Sequence, residues 1–196
     1  MGFLTNPLYA MLFTEDLMEY VLARLGVIWI GNETGIRRFR RHIPKHLFKP
    51  QIGMAVCDII DKHSELIVKC YSELILKGVN CVGDFKYEAT ITTILYLEHG
   101  YNRLKYLELC ALFAGIACHC FRNSDPTFAR DVASASAQLL AYIINFFILK
   151  ESFLPNDDWF ALLISAQTIR RKIKNGTLYT RDNEDDEIPL PYFDVC

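Results

Sequence analysis

The residues most able to carry out chemistry in this chain are grouped in only a few places. Cys118-His119-Cys120 is the only cluster of metal-ligand types. Successive residues on a helix point about 100° apart, so three in a row do not converge easily on one ion, and core packing is the favoured interpretation. No glycine-rich phosphate loop, nucleophile elbow or zinc-protease motif occurs. We therefore predict a protein that is not an enzyme and that uses no cofactor and no metal.

Two charged clusters allow other chemistry. Asp157 and Asp158 could form a carboxylate pair, but they follow Pro155 at a helix start, where negative charge stabilises the helix. A basic run at 37–49 could contact anionic lipid or nucleic acid, although a solvated loop is the favoured interpretation. The formal net charge of −2 argues against a general polyanion binder. No nucleic-acid partner is predicted.

The composition indicates one domain with a sizeable core. Of the 196 residues, 52% are hydrophobic and 22% are charged. Seven cysteines without paired spacing, and no signal peptide, indicate reduced thiols in a cytoplasmic protein. The most apolar windows, 106–121 and 137–149, are too interrupted or too short for a span of about 20 residues. No transmembrane anchor is predicted.

Helical periodicity runs through the chain, and no strand-type alternation persists. Helices are predicted from Thr14 to about residue 28, over 50–77 as one helix or two, and over 88–99, 102–121, 126–149 and 155–174. The helix after Asn102 is apolar nearly all round, which is typical of the centre of a bundle. The prediction is an all-α domain over 1–176, with a basic loop at 31–50 and an acidic, flexible tail at 177–196.

Four stretches are similar, in the same order, to the homology motifs of the Bcl-2 family of cell-death regulators. Residues 15–25 (EDLMEYVLARL) resemble the fourth motif, and residues 56–63 (VCDIIDKH) resemble the third. Residues 95–105 (LYLEHGYNRLK) resemble the first, L-F-x-x-G-x-N-W-G-R, and 153–160 (FLPNDDWF) resemble the second, W-I-x-x-x-G-G-W-x-x-F. The resemblance covers about residues 8–175. It implies a Bcl-2-like helical bundle in which amphipathic helices surround an apolar central helix.

The resemblance further implies a hydrophobic groove that binds the amphipathic death-motif helix of a pro-apoptotic partner. Lys105 replaces the family arginine that pairs with an aspartate of the bound helix, so it keeps the charge but loses the bidentate fork. Leu104 replaces a glycine and is expected to narrow the range of partners. The groove is expected between 51–77 and 88–110, formed by Val68, Tyr71, Leu74, Ile75, Ile91, Leu95, Asn102, Leu104, Lys105, Tyr106 and Leu109.

The direction of action follows from the third motif. Gly53 stands where family ligands carry their defining leucine, which removes roughly 2–3 kcal/mol of anchor burial. This favours an anti-apoptotic protein, of viral or invertebrate type, that is cytoplasmic or recruited to the mitochondrial outer membrane as a peripheral protein. The alternatives are a pro-apoptotic member, a closed-groove adaptor in innate immune signalling, and an unrelated helical bundle of structural or DNA-binding type. The identity of the partner and the formation of a homodimer stay open.

Overall fold

A computed structural model describes residues 7–31, 48–151 and 157–179, with the backbone alone at 147–151 and 157–159. This part of the chain is helical and contains no strand, so the predicted all-α class is confirmed. Most of the predicted basic loop, residues 153–156 of the second motif and the acidic tail from 180 onward lie outside the described residues. The helices are α1 (Pro7–Arg24), α2 (Pro50–Lys62), α3 (Ser64–Leu76), α4 (Val82–Leu97), α5 (Arg103–Asn123), α6 (Pro126–Glu151) and α7 (Asp157–Lys174).

Helix α1 begins at Pro7 rather than at the predicted Thr14. Thr14 is buried in mid-helix, where its hydroxyl donates to the Ala10 carbonyl at 3.0 Å and so caps nothing. The apolar face continues upstream, since Leu12 and Phe13 are also buried. The prediction treated a threonine followed by acids as a helix start, and the burial of these side chains overrides that local signal.

The stretch 50–77 forms two helices that meet at His63. The His63 N–H still bonds to the Ile59 carbonyl at 3.0 Å, but its backbone leaves helical geometry with φ −113° and ψ 23°. Helix α3 ends at Leu76 and, as predicted, Gly78 terminates it, with φ +78° in the left-handed region that favours glycine. The bend puts a histidine at the junction between α2 and α3, facing a part of the chain that is distant in sequence.

Helix α4 begins at Val82, whereas the sequence predicted a loop up to residue 87. Its N-cap is Cys81, whose Sγ accepts the Asp84 N–H at 3.5 Å. Thiols are weak acceptors and are not among the usual capping side chains, so the start carried no recognisable signal. The additional first turn buries Phe85, whose ring lies edge-on to Phe113 of α5 at 6.5 Å.

Helix α5 is the core of the bundle. The Asn102 side chain accepts the Lys105 N–H at 2.8 Å, which confirms the predicted cap. Every residue from Lys105 to Cys118 is buried. By length and composition, α5 is the one described helix able to cross a membrane, but 89% of its most apolar window is buried inside the bundle. Burial of this kind is typical of a core helix.

The other helices wrap around α5 and pack on one another in pairs. Helix α5 packs on α2, α3 and α6, while α1 packs mainly on α6 and α2 mainly on α7. Two glycines permit the closest approaches. A Cβ at Gly115 would lie 2.6 Å from Ile67 Cγ2, and one at Gly53 would lie 2.3 Å from Tyr20 Cδ1. These positions therefore bring α3 onto α5 and α2 onto α1.

The last described segment packs on the bundle as well. Helix α7 ends at Lys174, Gly176 follows it with a φ of +69°, and the Thr177 N–H bonds to the Lys172 carbonyl at 2.9 Å. Leu178 is fully buried. Residues 177–179, which the sequence assigned to a flexible tail, are thus held in the fold.

Candidate partner-helix site

Several large apolar side chains of α3 and α4 remain exposed to solvent. Among the predicted groove residues, Val68 is 44% exposed, Ile75 46% and Leu95 40%. Leu76 and Ile94, which the sequence analysis did not include, are 85% and 64% exposed. Exposed apolar side chains gathered on neighbouring helices are typical of an interaction surface. We call these five residues, together with half-buried Ile91, the α3–α4 apolar surface.

Both helices of this surface rest on α5. Helix α3 contacts it through Ile67 against Gly115, and α4 through Phe85 against Phe113. The two helices make little contact with each other. An ion pair of 3.0 Å between Lys77 Nζ and Glu88 Oε2 joins the end of α3 to α4. Their apolar faces are therefore not covered by mutual packing.

Three predicted groove residues belong to the core instead. Leu74 is nearly buried, and Tyr106 and Leu109 are completely buried. Leu74 lies on the face of α3 that packs on α5, and α5 is enclosed on all sides at the other two positions. At Tyr106 and Leu109, helical spacing could not distinguish buried positions from exposed ones, because α5 is apolar nearly all round.

Tyr71 is half-buried and is already engaged within the chain. Its ring stacks on His119 of α5 with the ring centroids 5.4 Å apart, and its hydroxyl lies 3.2 Å from Ser124 Oγ. It forms the border between the α3–α4 apolar surface and the core. A partner could contact its exposed edge but could not bury the whole ring.

The N-terminus of α5 faces α7 across a pocket of about 340 Å³. Asn102 and Leu104, two predicted groove residues, line it together with Arg103. The opposite wall consists of Ile164, Ser165, Thr168, Ile169 and Lys172 of α7, with Leu178 after it. Asn102 and Leu104 thus line the same concave surface, and their role in binding a partner helix stays a prediction.

Lys105 does not lie at the edge of the groove as predicted. Its side chain is buried, and Nζ donates to the Gly100 carbonyl at 2.8 Å and lies 5.8 Å from the centre of the Tyr96 ring. Burial lowers the pKa of Lys105, and the negative charge of Glu108 acts in the opposite direction. In this conformation the ammonium group donates to a carbonyl of its own chain, and the expected pairing with a partner's aspartate stays a prediction.

Glu108 is the centre of a polar network that the sequence analysis did not find. The Tyr96 hydroxyl of α4 donates to Glu108 Oε2, and the Tyr179 hydroxyl donates to Oε1 at 2.6 Å. His63 Nε2 lies 2.9 Å from the Tyr179 hydroxyl. A lone acid in an apolar helix was the available signal, since a buried carboxylate requires hydrogen-bond partners. We call these four side chains the Glu108 network.

The protons of this network can be assigned. With Glu108 ionised, the single proton of each phenol points to the carboxylate, and in the matching tautomer His63 donates its Nε2–H to the Tyr179 oxygen. Burial raises the pKa of Tyr96, and the Glu108 charge raises it further, which keeps this hydroxyl a donor. Burial and then the Lys62 charge lower the pKa of His63, which favours the neutral ring. The network is therefore a directed chain of donors that ends at one carboxylate.

Helix α2, which carries the stretch similar to the third motif, turns its apolar side inward. Ile52, Val56 and Ile59 are completely buried. Asp58 forms an ion pair with Arg170 of α7, with 2.6 Å between Oδ2 and Nε. One of the two aspartates of this stretch therefore has a partner within the chain, and the apolar face of α2 is covered in this conformation.

The cysteine–histidine cluster is part of the packing around α5. Cys118 and Cys120 are nearly buried, and burial raises the pKa of the Cys120 thiol to about 11. His119 stacks on Tyr71. In the described ranges, no three histidine, cysteine or acidic side chains come together as ligands for a metal ion.

A larger pocket, of about 630 Å³, lies between the segment after α1 and helices α4 and α6. Its wall includes the indole of Trp29, the cations Lys86 and Arg130, and the acid Asp131. Both charge signs and apolar surface occur together, so the wall selects no class of ligand. No sequence pattern indicates this pocket, because its residues come from three separate elements.

Comparison with known proteins found no matching family model, no matching curated protein and no matching solved structure.

Proposed function

We propose that this protein is an anti-apoptotic, Bcl-2-like regulator that sequesters the death-motif helix of pro-apoptotic proteins. The observation that carries the proposal is the α3–α4 apolar surface, whose two helices both contact the buried apolar α5. The order of the motif-like stretches supports the same function.

The chemistry of the surface suits an amphipathic helix. Such a ligand presents apolar anchors at i, i+3/4 and i+7, and Val68 and Ile75 lie seven residues apart on one helix face. Fully burying one large aliphatic side chain is worth roughly 1.5–3 kcal/mol, so half-exposed residues offer about 1 kcal/mol each.

The proposed direction, survival rather than killing, is supported by α2. A killer protein must expose its own third motif, but the apolar face of α2 is buried here and Asp58 is paired with Arg170. A leucine at Gly53 would also collide with Tyr20, because even a Cβ at this position lies 2.3 Å from that ring. The fold therefore favours a protein that keeps α2 in its own core over one that releases α2 to bind another protein.

The direct test is calorimetry of the full chain against a panel of synthetic death-motif peptides. Wild type should bind a few of them, and Ile75→Glu and Leu95→Glu should each weaken binding at least tenfold, since they place an unpaired charge in an apolar contact. Tyr142→Glu is the matched control, because Tyr142 is 66% exposed on α6, outside the site. If Tyr142→Glu weakened peptide binding as much as the two site variants, the α3–α4 apolar surface would not be the binding site. The same conclusion would follow if neither Ile75→Glu nor Leu95→Glu changed the affinity.

One observation favours a second function, the closed-groove adaptor in innate immune signalling. Lys105 points inward, so the charged contact that the family resemblance implied for holding a partner helix is absent in this conformation. An adaptor of this kind would bind none of the peptides while remaining helical and monodisperse. If none of the peptides binds, the closed-groove adaptor therefore becomes the proposed function.

A further inference from the structure

Residues 27–31, shortly after α1, are not helical, and their side chains alternate between buried and exposed. Val27 and Trp29 are buried, whereas Ile28 is 90% exposed and Ile30 is 55% exposed. Alternation of this kind is typical of extended backbone, in which successive side chains point to opposite sides. We call residues 27–31 the extended segment. It exposes two large β-branched side chains to solvent on one side.

The backbone of the extended segment has one edge bonded to α1 and one edge open. The Val27 N–H bonds to a carbonyl of α1 at 2.8 Å, and the Gly31 N–H bonds to Oε1 of Glu19 at 3.0 Å. In extended backbone, alternate residues direct their N–H and C=O groups to the same edge. Those of Ile28 and Ile30 therefore point away from α1. Among the residues that the structure describes, these four groups have no hydrogen-bond partner.

An open backbone edge that carries exposed apolar side chains is a template for strand pairing. Valine, isoleucine and tryptophan, the residue types of 27–30, are all enriched in strands. The pocket of about 630 Å³ beside the extended segment has Arg130 and Asp131 in its wall, both exposed. A second copy of the chain presents the same two charges, so opposite charges of two protomers can face each other across a two-fold axis. A ligand of a single charge sign cannot complement both.

We propose that two copies of this chain form a dimer by antiparallel pairing of their extended segments, with the two-fold axis at Trp29. In this register Ile28 of one protomer lies opposite Ile30 of its partner. Because the open backbone groups belong to these two residues, the two opposed pairs exchange four hydrogen bonds. The same pairs bring isoleucine side chains together across the strands. The inference is independent of the proposed function, since it uses no residue of the α3–α4 apolar surface.

The test measures self-association of the full chain by sedimentation velocity at about 1–300 μM, because small interfaces dissociate in the micromolar range. Two double variants test the register. Ile28→Lys/Ile30→Lys places lysines opposite each other, whereas Ile28→Lys/Ile30→Glu places each lysine opposite a glutamate. Phe160→Lys is the matched control, because Phe160 is 62% exposed on α7, outside the extended segment. Amide hydrogen exchange at residues 28 and 30 of the wild type is compared at low and high protein concentration.

If the segments pair, the wild type should dimerise, and both amides should exchange at least about threefold more slowly at high concentration. The lysine–lysine variant should weaken dimerisation at least about tenfold. The lysine–glutamate variant should associate at least about fivefold more tightly than the lysine–lysine variant, and Phe160→Lys should match the wild type.

A wild type that is monomeric at every concentration would overturn the proposal. Equal losses in the two double variants would also overturn it, because residue 28 would then not lie opposite residue 30. A dimer whose exchange at 28 and 30 is independent of concentration would place the contact elsewhere, with the same consequence. The exchange measurement requires no substitution, so it decides the question even if a variant fails to fold.

Discussion

Replacing Lys105 by methionine tests the buried environment that the structure gives this residue. Methionine keeps the length of the apolar stem but removes the ammonium group. The variant loses the hydrogen bond of 2.8 Å to the Gly100 carbonyl and the cation that faces the Tyr96 ring. It also leaves Glu108 without the positive charge that lies one helical turn away. A surface lysine would lose none of these contacts.

The expected magnitude follows from the contacts. A hydrogen bond from a charged group is worth about 1.5–3 kcal/mol, and relief of the desolvation of the ammonium offsets part of that loss. We expect a net loss of about 2 kcal/mol in the free energy of unfolding. For a chain of this length, 1 kcal/mol corresponds to roughly 2–4 °C, so the melting temperature should fall by about 4–8 °C. Lys105→Glu should be more destabilising, because it places a second carboxylate beside Glu108.

The assay is urea unfolding followed by circular dichroism, with Lys86→Met as the matched control. Lys86 is an exposed lysine of α4, and its substitution should change stability by less than about 0.5 kcal/mol. An unchanged slope against urea would show that the denatured state is the same in all variants. If Lys105→Met is as stable as Lys86→Met, the ammonium group is solvated and the inward orientation is refuted.

Two further predictions concern packing and pH. Gly53→Ala should lower the free energy of unfolding by about 1–3 kcal/mol in urea titrations, because its Cβ would overlap the Tyr20 ring; an unchanged midpoint would mean that α1 and α2 separate freely. Burial lowers the pKa of His63 and of His119, so the unfolded chain binds more protons near pH 6, and stability should fall as pH drops through about 6.5. The double variant His63→Gln/His119→Gln should show a smaller decrease between pH 7.5 and 5.5, and an identical decrease would contradict the assignment.

The features that the sequence predicted correctly are local ones. Asn102 caps α5 through a contact three residues away, and Gly78 ends α3 through its own backbone angle. Each signal lies within a few residues of its effect, so a single sequence is enough to find it. The helical class and the central position of α5 followed from periodicity in the same way.

The features that the sequence did not predict depend on distant contacts. The orientation of Lys105 is determined by Gly100, Tyr96 and Glu108, and spacing alone equally allowed an outward side chain. Tyr179 was assigned to a mobile tail because the residues that follow it are acidic and polar, yet its hydroxyl bonds to a carboxylate 71 positions away. The start of α4 was missed for another reason, since Cys81 is an unusual cap. On α3, Val68 and Ile75 are exposed, whereas Leu74 lies on the side that packs on α5 and is buried, and helical spacing alone did not separate the two sides.

The Glu108 network also orders events during synthesis of the chain. His63 and Tyr179 are 116 positions apart, so their contact cannot form until the chain as far as Tyr179 has left the ribosome. Before then, Glu108 lies in an apolar helix without the donor that Tyr179 supplies, and this helix is the one described segment long and apolar enough to enter a lipid bilayer. Nascent chains that stop short of Tyr179 therefore carry a partly satisfied buried charge. Such chains are the ones on which chaperones and proteases should act first.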